Sequence, residues 1–102
     1  MPAVGQLTDA AQAQHYLEDL ASALSDRGWP SRLEARAGRV PALYVRNPEA
    51  PALSELVYAW PAADTTWWYW WPWGQPIVPA STDATCAAGI VTRVLRSAGG
   101  IR

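Results

Sequence analysis

The chain has 102 residues, a formal net charge of −1 at pH 7 and a single Cys. This length is typical of one domain with one hydrophobic core, and the balanced charge argues against binding to nucleic acid or to an anionic membrane. One Cys excludes a disulfide within the chain, the N-terminus shows no signal-peptide pattern, and no apolar run approaches the roughly 20 residues that span a bilayer. We therefore expect a single-domain cytoplasmic protein.

The first predicted element is a helix over residues 9–27. Thr8 or Asp9 can cap its N-terminus, and Gln12 follows Asp9 at the spacing of a capping box. Gly28 is the type of residue that commonly follows the end of a helix. Apolar residues recur at helical spacing along one face. This stripe consists of Ala10, Ala13, Leu17, Leu20, Ala21 and Leu24.

Four strands are predicted in the middle of the chain, because the apolar residues there alternate with a period of two. The alternation directs Leu33, Leu43 and Val45 toward the core, and it directs Tyr44 and Tyr58 toward the opposite face. Pro- and Asn-containing segments between the strands are typical of turns. The strands cover residues 32–37, 40–46, 54–60 and 65–71.

A final helix is predicted over residues 82–97, with Ser81, Thr82 or Asp83 as its N-cap and a Gly pair at its end. The element order is then α-β-β-β-β-α, and the short connections favour an antiparallel meander. We predict an α+β two-layer sandwich over residues 1–102, in which two helices cover one face of a four-stranded sheet. The residues expected in the core are Leu17, Leu20, Leu24, Leu33, Leu43, Val45, Val57, Ile90, Val91, Val94 and Leu95.

Residues 67–73 read WWYWWPW and contain five of the seven tryptophans of the chain. An ordinary strand needs one apolar face, whereas this run offers large rings to both faces, and the sequence does not show which set is buried. As the last strand of a meander it would also form an uncharged edge, and such edges are normally paired or covered. One set is Trp67, Tyr69 and Trp71, with Trp73 if Pro72 leaves the phase unchanged, and the other is Trp68 and Trp70.

Two segments resemble small proteins that are common in actinobacteria. They are residues 47–53 (NPEAPAL) and residues 70–77 (WWPWGQPI) with the helix that follows. The similarity covers about the last two-thirds of the chain. The resemblance implies a compact cytoplasmic α+β protein, and it fits the absence of Lys, but it implies no activity and assigns no functional residue.

His15 and Cys86 belong to the residue types that commonly carry chemistry. His15 stands four residues before Asp19 on a helix face, but no nucleophile accompanies this pair, so we interpret it as solvated. Cys86 lies in the first turn of the final helix, where a thiolate is stabilised, yet its spacing from Ile90 favours a small buried residue. One His and one Cys do not make a zinc site. We predict no catalytic residue, cofactor or metal.

The leading functional hypothesis is a non-enzymatic protein-interaction module, homodimeric through an aromatic sheet face or edge. The alternative is a small-ligand binding protein, in which tryptophan rings form a wall for a planar or cationic guest. Aromatic residues interleaved with Arg also occur in single-stranded nucleic-acid sites, but the net negative charge argues against this. The expected interaction surface consists of Tyr44, Tyr58, Trp60, Trp67, Trp68, Tyr69, Trp70, Trp71 and Trp73.

Overall fold

The computed structural model describes residues 2–35, 40–50, 52–80 and 83–100. Within them, two helices flank a five-stranded sheet whose strands pair antiparallel in chain order. The predicted α+β class and antiparallel pairing are confirmed for these residues. The elements are α1 (Pro2–Asp26), β1 (Ser31–Glu34), β2 (Ala42–Arg46), β3 (Ser54–Pro61), β4 (Trp67–Trp70), β5 (Pro76–Pro79) and α2 (Ala84–Gly100).

The sheet has five strands, so the prediction of four is wrong. The additional strand, β5, follows a tight turn after β4 and places Val78 opposite Tyr69. Its four residues begin and end with Pro, a residue typical of loops and sheet edges, and they show no alternation that would reveal a strand. Because β5 pairs with β4, the tryptophan-rich strand lies inside the sheet. The prediction that it forms an edge is therefore also wrong.

The first helix begins at Pro2 rather than at residue 9. Thr8 and Asp9 lie inside it, because a capping residue is only a local preference and Pro is well tolerated in a first helical turn. Gly28, with a φ of 77°, follows the end of α1 as predicted. At α2 the carboxylate of Asp83 accepts the backbone N–H of Thr85 at 3.1 Å, so Asp83 is the N-cap.

The remaining boundary differences are small. The strand β1 ends at Glu34 and is followed by exposed Ala35, so it is shorter than predicted, and the predicted strand residues 36 and 37 lie outside the described ranges. The strand β2 begins at Ala42, two residues later than predicted. The two glycines expected to end α2 lie within it, because the helix continues to Gly100.

The core lies between the sheet and the two helices. The helix α1 packs on β1, β2 and β3, while α2 packs on α1 and β5. Val94 is 37% exposed, so its predicted place in the core is wrong; the buried side of α2 instead follows Ala87, Ala88, Val91 and Leu95. Leu33 and Ile90 are only partly buried. The predicted core residues that are confirmed are Leu17, Leu20, Leu24, Leu43, Val45, Val57, Val91 and Leu95.

Candidate functional site

The strand β4 directs alternate rings to opposite faces of the sheet. Tyr69 is 1% exposed and points toward α1, where its hydroxyl donates a hydrogen bond to the carbonyl oxygen of Tyr16 at 2.8 Å. Trp67 packs against the same helix, with 5.4 Å between its ring centroid and that of Tyr16. Trp71 is buried just after the strand ends. Three of the nine predicted surface residues therefore lie on the helix-facing side.

Tyr69 uses its hydroxyl as a hydrogen-bond donor within the fold. Its burial, and secondarily the negative charge of Asp19, raises the pKa of its hydroxyl above the ordinary value of a tyrosine. The hydroxyl is therefore protonated at neutral pH, and its proton is used in the bond to the Tyr16 carbonyl. This contact ties the middle of the tryptophan-rich strand to the first helix.

On the opposite side of the sheet, β3 and β4 carry a block of four large rings. We call this block the outer aromatic face, and it consists of Tyr58, Trp60, Trp68 and Trp70. In the register of β3 and β4, Tyr58 stands opposite Trp70, and Trp60 stands opposite Trp68. Such directly opposed side chains contact one another across strands. The indole Nε1 of Trp70 donates to the carbonyl oxygen of Trp60 at 2.9 Å, which orients that ring.

The outer aromatic face is not covered by either helix over the described residues, because both helices pack on the other side of the sheet. Trp60 is 37% exposed, and the other three rings are partly exposed. They shield one another laterally, but their outward surfaces meet solvent. The predicted surface residues that the structure brings together are thus the members of this block, with Tyr44 beside them.

Tyr44 lies at the polar border of this block. Its hydroxyl donates to the side-chain oxygen of Ser54 at 2.9 Å, and the guanidinium of Arg32 stands 5.5 Å from the centre of its ring. Arg32 also pairs with Glu34 at 3.0 Å on the exposed side of β1. The outer side of the sheet therefore changes from charged on β1 to aromatic on β3 and β4.

A shallow depression of about 290 Å³ lies on the outer aromatic face. Val40, Tyr58, Trp60, Trp70 and Gly74 line it. Its volume is close to the lower limit of about 300 Å³ for small-molecule pockets. These side chains are aromatic or aliphatic and include no carboxylate, imidazole or thiol. The one ionisable side chain in this lining is the phenol of Tyr58, and the depression can hold a flat or cationic guest against its rings.

Trp73 stands apart from the block. It is 58% exposed and lies in the connection between β4 and β5. Its ring stacks on that of Trp71, with centroids 5.3 Å apart and planes inclined by 8°, and its Nε1 donates to the side-chain oxygen of Gln75 at 3.0 Å. One face of this indole is therefore held by the protein, and the other is open to solvent.

The two residues considered for chemistry are both on the surface. His15 Nε2 lies 3.7 Å from Asp19 Oδ2, and both side chains are exposed. Cys86 is exposed, so the prediction that it is buried is wrong; it lies one position outside the buried side of α2, which begins at Ala87. Among the residues whose placement is described, no group of three His, Cys, Asp or Glu side chains could hold a metal ion.

Two further results bear on function. Neither helix, within the described ranges, has the length and apolar character needed to cross a bilayer. The resemblance to actinobacterial proteins stays a prediction. The sequence matches no protein-family model, and no curated protein or solved structure is significantly similar to it.

Proposed function

We propose that this chain is a non-enzymatic interaction module that forms a homodimer through the outer aromatic face. The observation that supports this proposal most directly is the block of four large rings on a sheet face that neither helix covers. Trp and Tyr are enriched in the centres of protein interfaces, because they bury a large area while losing little side-chain entropy. Contiguous exposed apolar patches on small proteins are commonly interaction surfaces.

The edges of the sheet are less suited to self-association than its face. The edge strand β5 contains Pro76 and Pro79 within its four residues, and Pro has no backbone N–H to donate to an added strand. The other edge, β1, is also only four residues long. Short and proline-containing edge strands disfavour pairing with another chain. Contact through the face is therefore the geometry that we propose.

The size of the face indicates a dimer of modest stability. The five strands contain four, five, eight, four and four residues, and each residue covers roughly 16 Å² of the sheet at about 3.4 Å along the strand and about 4.8 Å between strands. One face then has a flat area of about 400 Å², so two copies bury about 800 Å², which lies below the roughly 1,200 Å² of a standard interface and within the range of weak ones. We expect a dimer that dissociates on dilution.

Sedimentation over a hundredfold range of concentration tests the proposal. We expect the wild type to shift from monomer to dimer as concentration rises, and we expect the double variant Trp60→Thr/Trp68→Thr to remain a folded monomer, because Thr is well accommodated in strands. Val94→Thr is the matched control, since Val94 is an exposed apolar residue on the helical layer. A wild type that stays monomeric, or a double variant that dimerises equally well, would contradict the proposal.

The second candidate function is binding of a small planar or cationic molecule in the depression beside Trp60 and Trp70. It is supported by the ring-lined volume of about 290 Å³ and by the attraction between cations and indole faces. Titration of a monomeric sample with a small quaternary ammonium compound, followed by tryptophan fluorescence, tests it. Saturable binding that Trp70→Thr abolishes would favour this function over dimerisation.

A further inference from the structure

A second concave site lies in the helical layer, on the other side of the molecule's core from the outer aromatic face. Its volume is about 510 Å³, and its lining comprises Arg27, Gly89, Thr92, Arg93 and Arg96. Arg27 directly follows α1, while the other four belong to α2. Gly89, Arg93 and Arg96 succeed one another at intervals of four and three residues, which places them on one side of the helix.

Two of the three guanidinium groups lie close to other residues of the helical layer. A Cβ atom on Gly89 would stand 3.1 Å from Arg27 Nη2, so the absence of a side chain there lets Arg27 lie against α2. A glycine inside a helix is less favourable than an alanine, and the glycine here leaves room for the Arg27 side chain. Arg96 is held differently, with its Cζ 5.5 Å from the ring centre of buried Trp29.

The cavity concentrates positive charge in a chain that is slightly negative overall. Of the residues that the structure describes, those lining it include three of the eight basic residues of the chain and no carboxylate. In the described part of the chain the salt bridges are His15–Asp19 and Arg32–Glu34, so none includes Arg27, Arg93 or Arg96. All three arginines are exposed, so solvent and salt screen the repulsion between them, and a bound anion would reduce it further.

We propose that this cavity binds the phosphate group of a small phosphorylated molecule. Guanidinium groups donate paired hydrogen bonds that match phosphate oxygens, and a phosphate monoester carries about −1.5 to −2 charges at pH 7, which balances three arginines better than a single carboxylate does. Thr92 is not required as a ligand, because its hydroxyl already donates to the carbonyl of Gly89 at 3.1 Å.

The size of the cavity and the charge of the whole chain indicate the class of ligand. A volume of about 510 Å³ is within the range of small-molecule sites, about 300–1,000 Å³, and exceeds what a bare phosphate ion needs. An extended nucleic acid would require a longer row of basic residues, whereas the chain as a whole carries a charge of −1. A small phosphate ester therefore fits better than a polymer.

The protein is titrated with glycerol phosphate and, in a parallel control, with sodium chloride at the same ionic strength. In both titrations we measure thermal unfolding and the arginine Nε–Hε signals in NMR spectra. We expect saturable stabilisation of the wild type and shifts of the Arg27, Arg93 and Arg96 signals. Arg93→Gln should weaken binding by about tenfold or more, since losing a hydrogen bond to a charged group has an effect of this size. Arg46→Gln, at an exposed arginine on β2, is the charge-matched control and should bind normally.

Several outcomes would overturn the inference. Equal stabilisation by sodium chloride would reduce the effect to general screening, and an unchanged affinity in both Arg93→Gln and Arg93→Lys would show that the guanidinium of Arg93 does not bind phosphate. Tighter binding of a tricarboxylate such as citrate would assign the cavity to carboxylates. Tighter binding of a single-stranded oligonucleotide would assign it to a polymer.

Discussion

Replacing Thr65 by Gly is expected to stabilise the fold, although Thr65 is an exposed residue of a surface loop. The loop connects β3 to β4, and Thr65 has a φ of 67°. Its N–H donates to the carbonyl of Ala62 at 2.9 Å, and the N–H of Ala62 donates to the carbonyl of Thr66 at 2.8 Å. A β-branched residue is strongly disfavoured in this left-handed region.

The next hairpin of the sheet, between β4 and β5, has the same two hydrogen bonds, but it carries Gly at the position that Thr65 occupies in the first hairpin. In the β4–β5 connection, the N–H of Gly74 donates to the carbonyl of Trp71 at 3.0 Å, and the N–H of Trp71 donates to the carbonyl of Gln75 at 2.9 Å. Gly74 occupies the position of Thr65, with a φ of 89°. Hairpin loops of this type commonly carry Gly there.

The expected magnitude follows from two opposing terms. A left-handed conformation costs a non-glycine residue about 1–2 kcal/mol, while Gly adds about 0.5–1 kcal/mol of chain entropy to the unfolded state. Thr65→Gly should therefore gain about 0.5–1 kcal/mol of unfolding free energy. Gly74→Thr should lose a similar amount, because an added Cβ at Gly74 meets no atom within 4 Å and no clash adds to the conformational cost.

Urea unfolding at equilibrium compares the wild type with Thr65→Gly, Gly74→Thr and the double variant. The two single variants should shift the midpoint in opposite directions, and the double variant should lie close to the wild type. Thr66→Gly is the matched control, because the neighbouring Thr66 is exposed and has an ordinary φ; it should be slightly destabilised. A Thr65→Gly variant no more stable than Thr66→Gly would refute the reasoning.

Three further expectations concern single side chains. Because burial raises the pKa of Tyr69, the folded state holds that proton more tightly than the unfolded chain, so the contribution of Tyr69 to stability is complete below about pH 10 and is lost as the pH rises above that value. Tyr69→Phe should cost about 1–2 kcal/mol at neutral pH through the lost hydrogen bond to Tyr16. When unfolding is measured from pH 7 to 11, the unfolding free energy of this variant should fall less steeply with rising pH than that of the wild type. Leu20→Ala should cost about 2–5 kcal/mol, since Leu20 is fully buried, and a loss below about 0.5 kcal/mol in urea would contradict its place in the core. Gly89→Ala should gain about 0.5–1 kcal/mol of helix stability. The atom nearest the new Cβ, at 3.1 Å, is the far end of the exposed Arg27 side chain, which can move aside. A lowered melting temperature would show that it cannot.

Periodicity predicted the elements whose two sides differ in polarity. The stripe containing Leu17, Leu20 and Leu24 belongs to a helix with a polar opposite side, and the sequence identified it correctly. In β4 both sides are aromatic, so alternation separated the two sets of rings but could not choose between them. The choice depends on tertiary structure, in which the hydroxyl of Tyr69 reaches a carbonyl of α1.

The arginine cavity could not be predicted from the sequence. Its residues come from α2 and from the turn after α1, which the entire sheet separates in the sequence, and charged residues scattered along a chain indicate only a solvated surface. Gly89 is equally uninformative in sequence, because an isolated glycine in a helical segment has no evident partner. Only the packing of α1 against α2 shows that Gly89 makes room for Arg27.

The chain-order pairing of the strands has a consequence for how the molecule assembles. Each strand pairs only with its immediate neighbours in the chain, so the sheet can form by closing short loops, whereas joining α2 to α1 brings together opposite ends of the described chain. Contacts between distant residues form late, because their loop-closure entropy is larger. We expect amide hydrogens of α2, which packs mainly on α1 and β5, to exchange with solvent faster than those of β2, β3 and β4. The arginine cavity would then be completed by the last docking step, and a phosphate bound there, as we propose, would hold α2 against the end of α1.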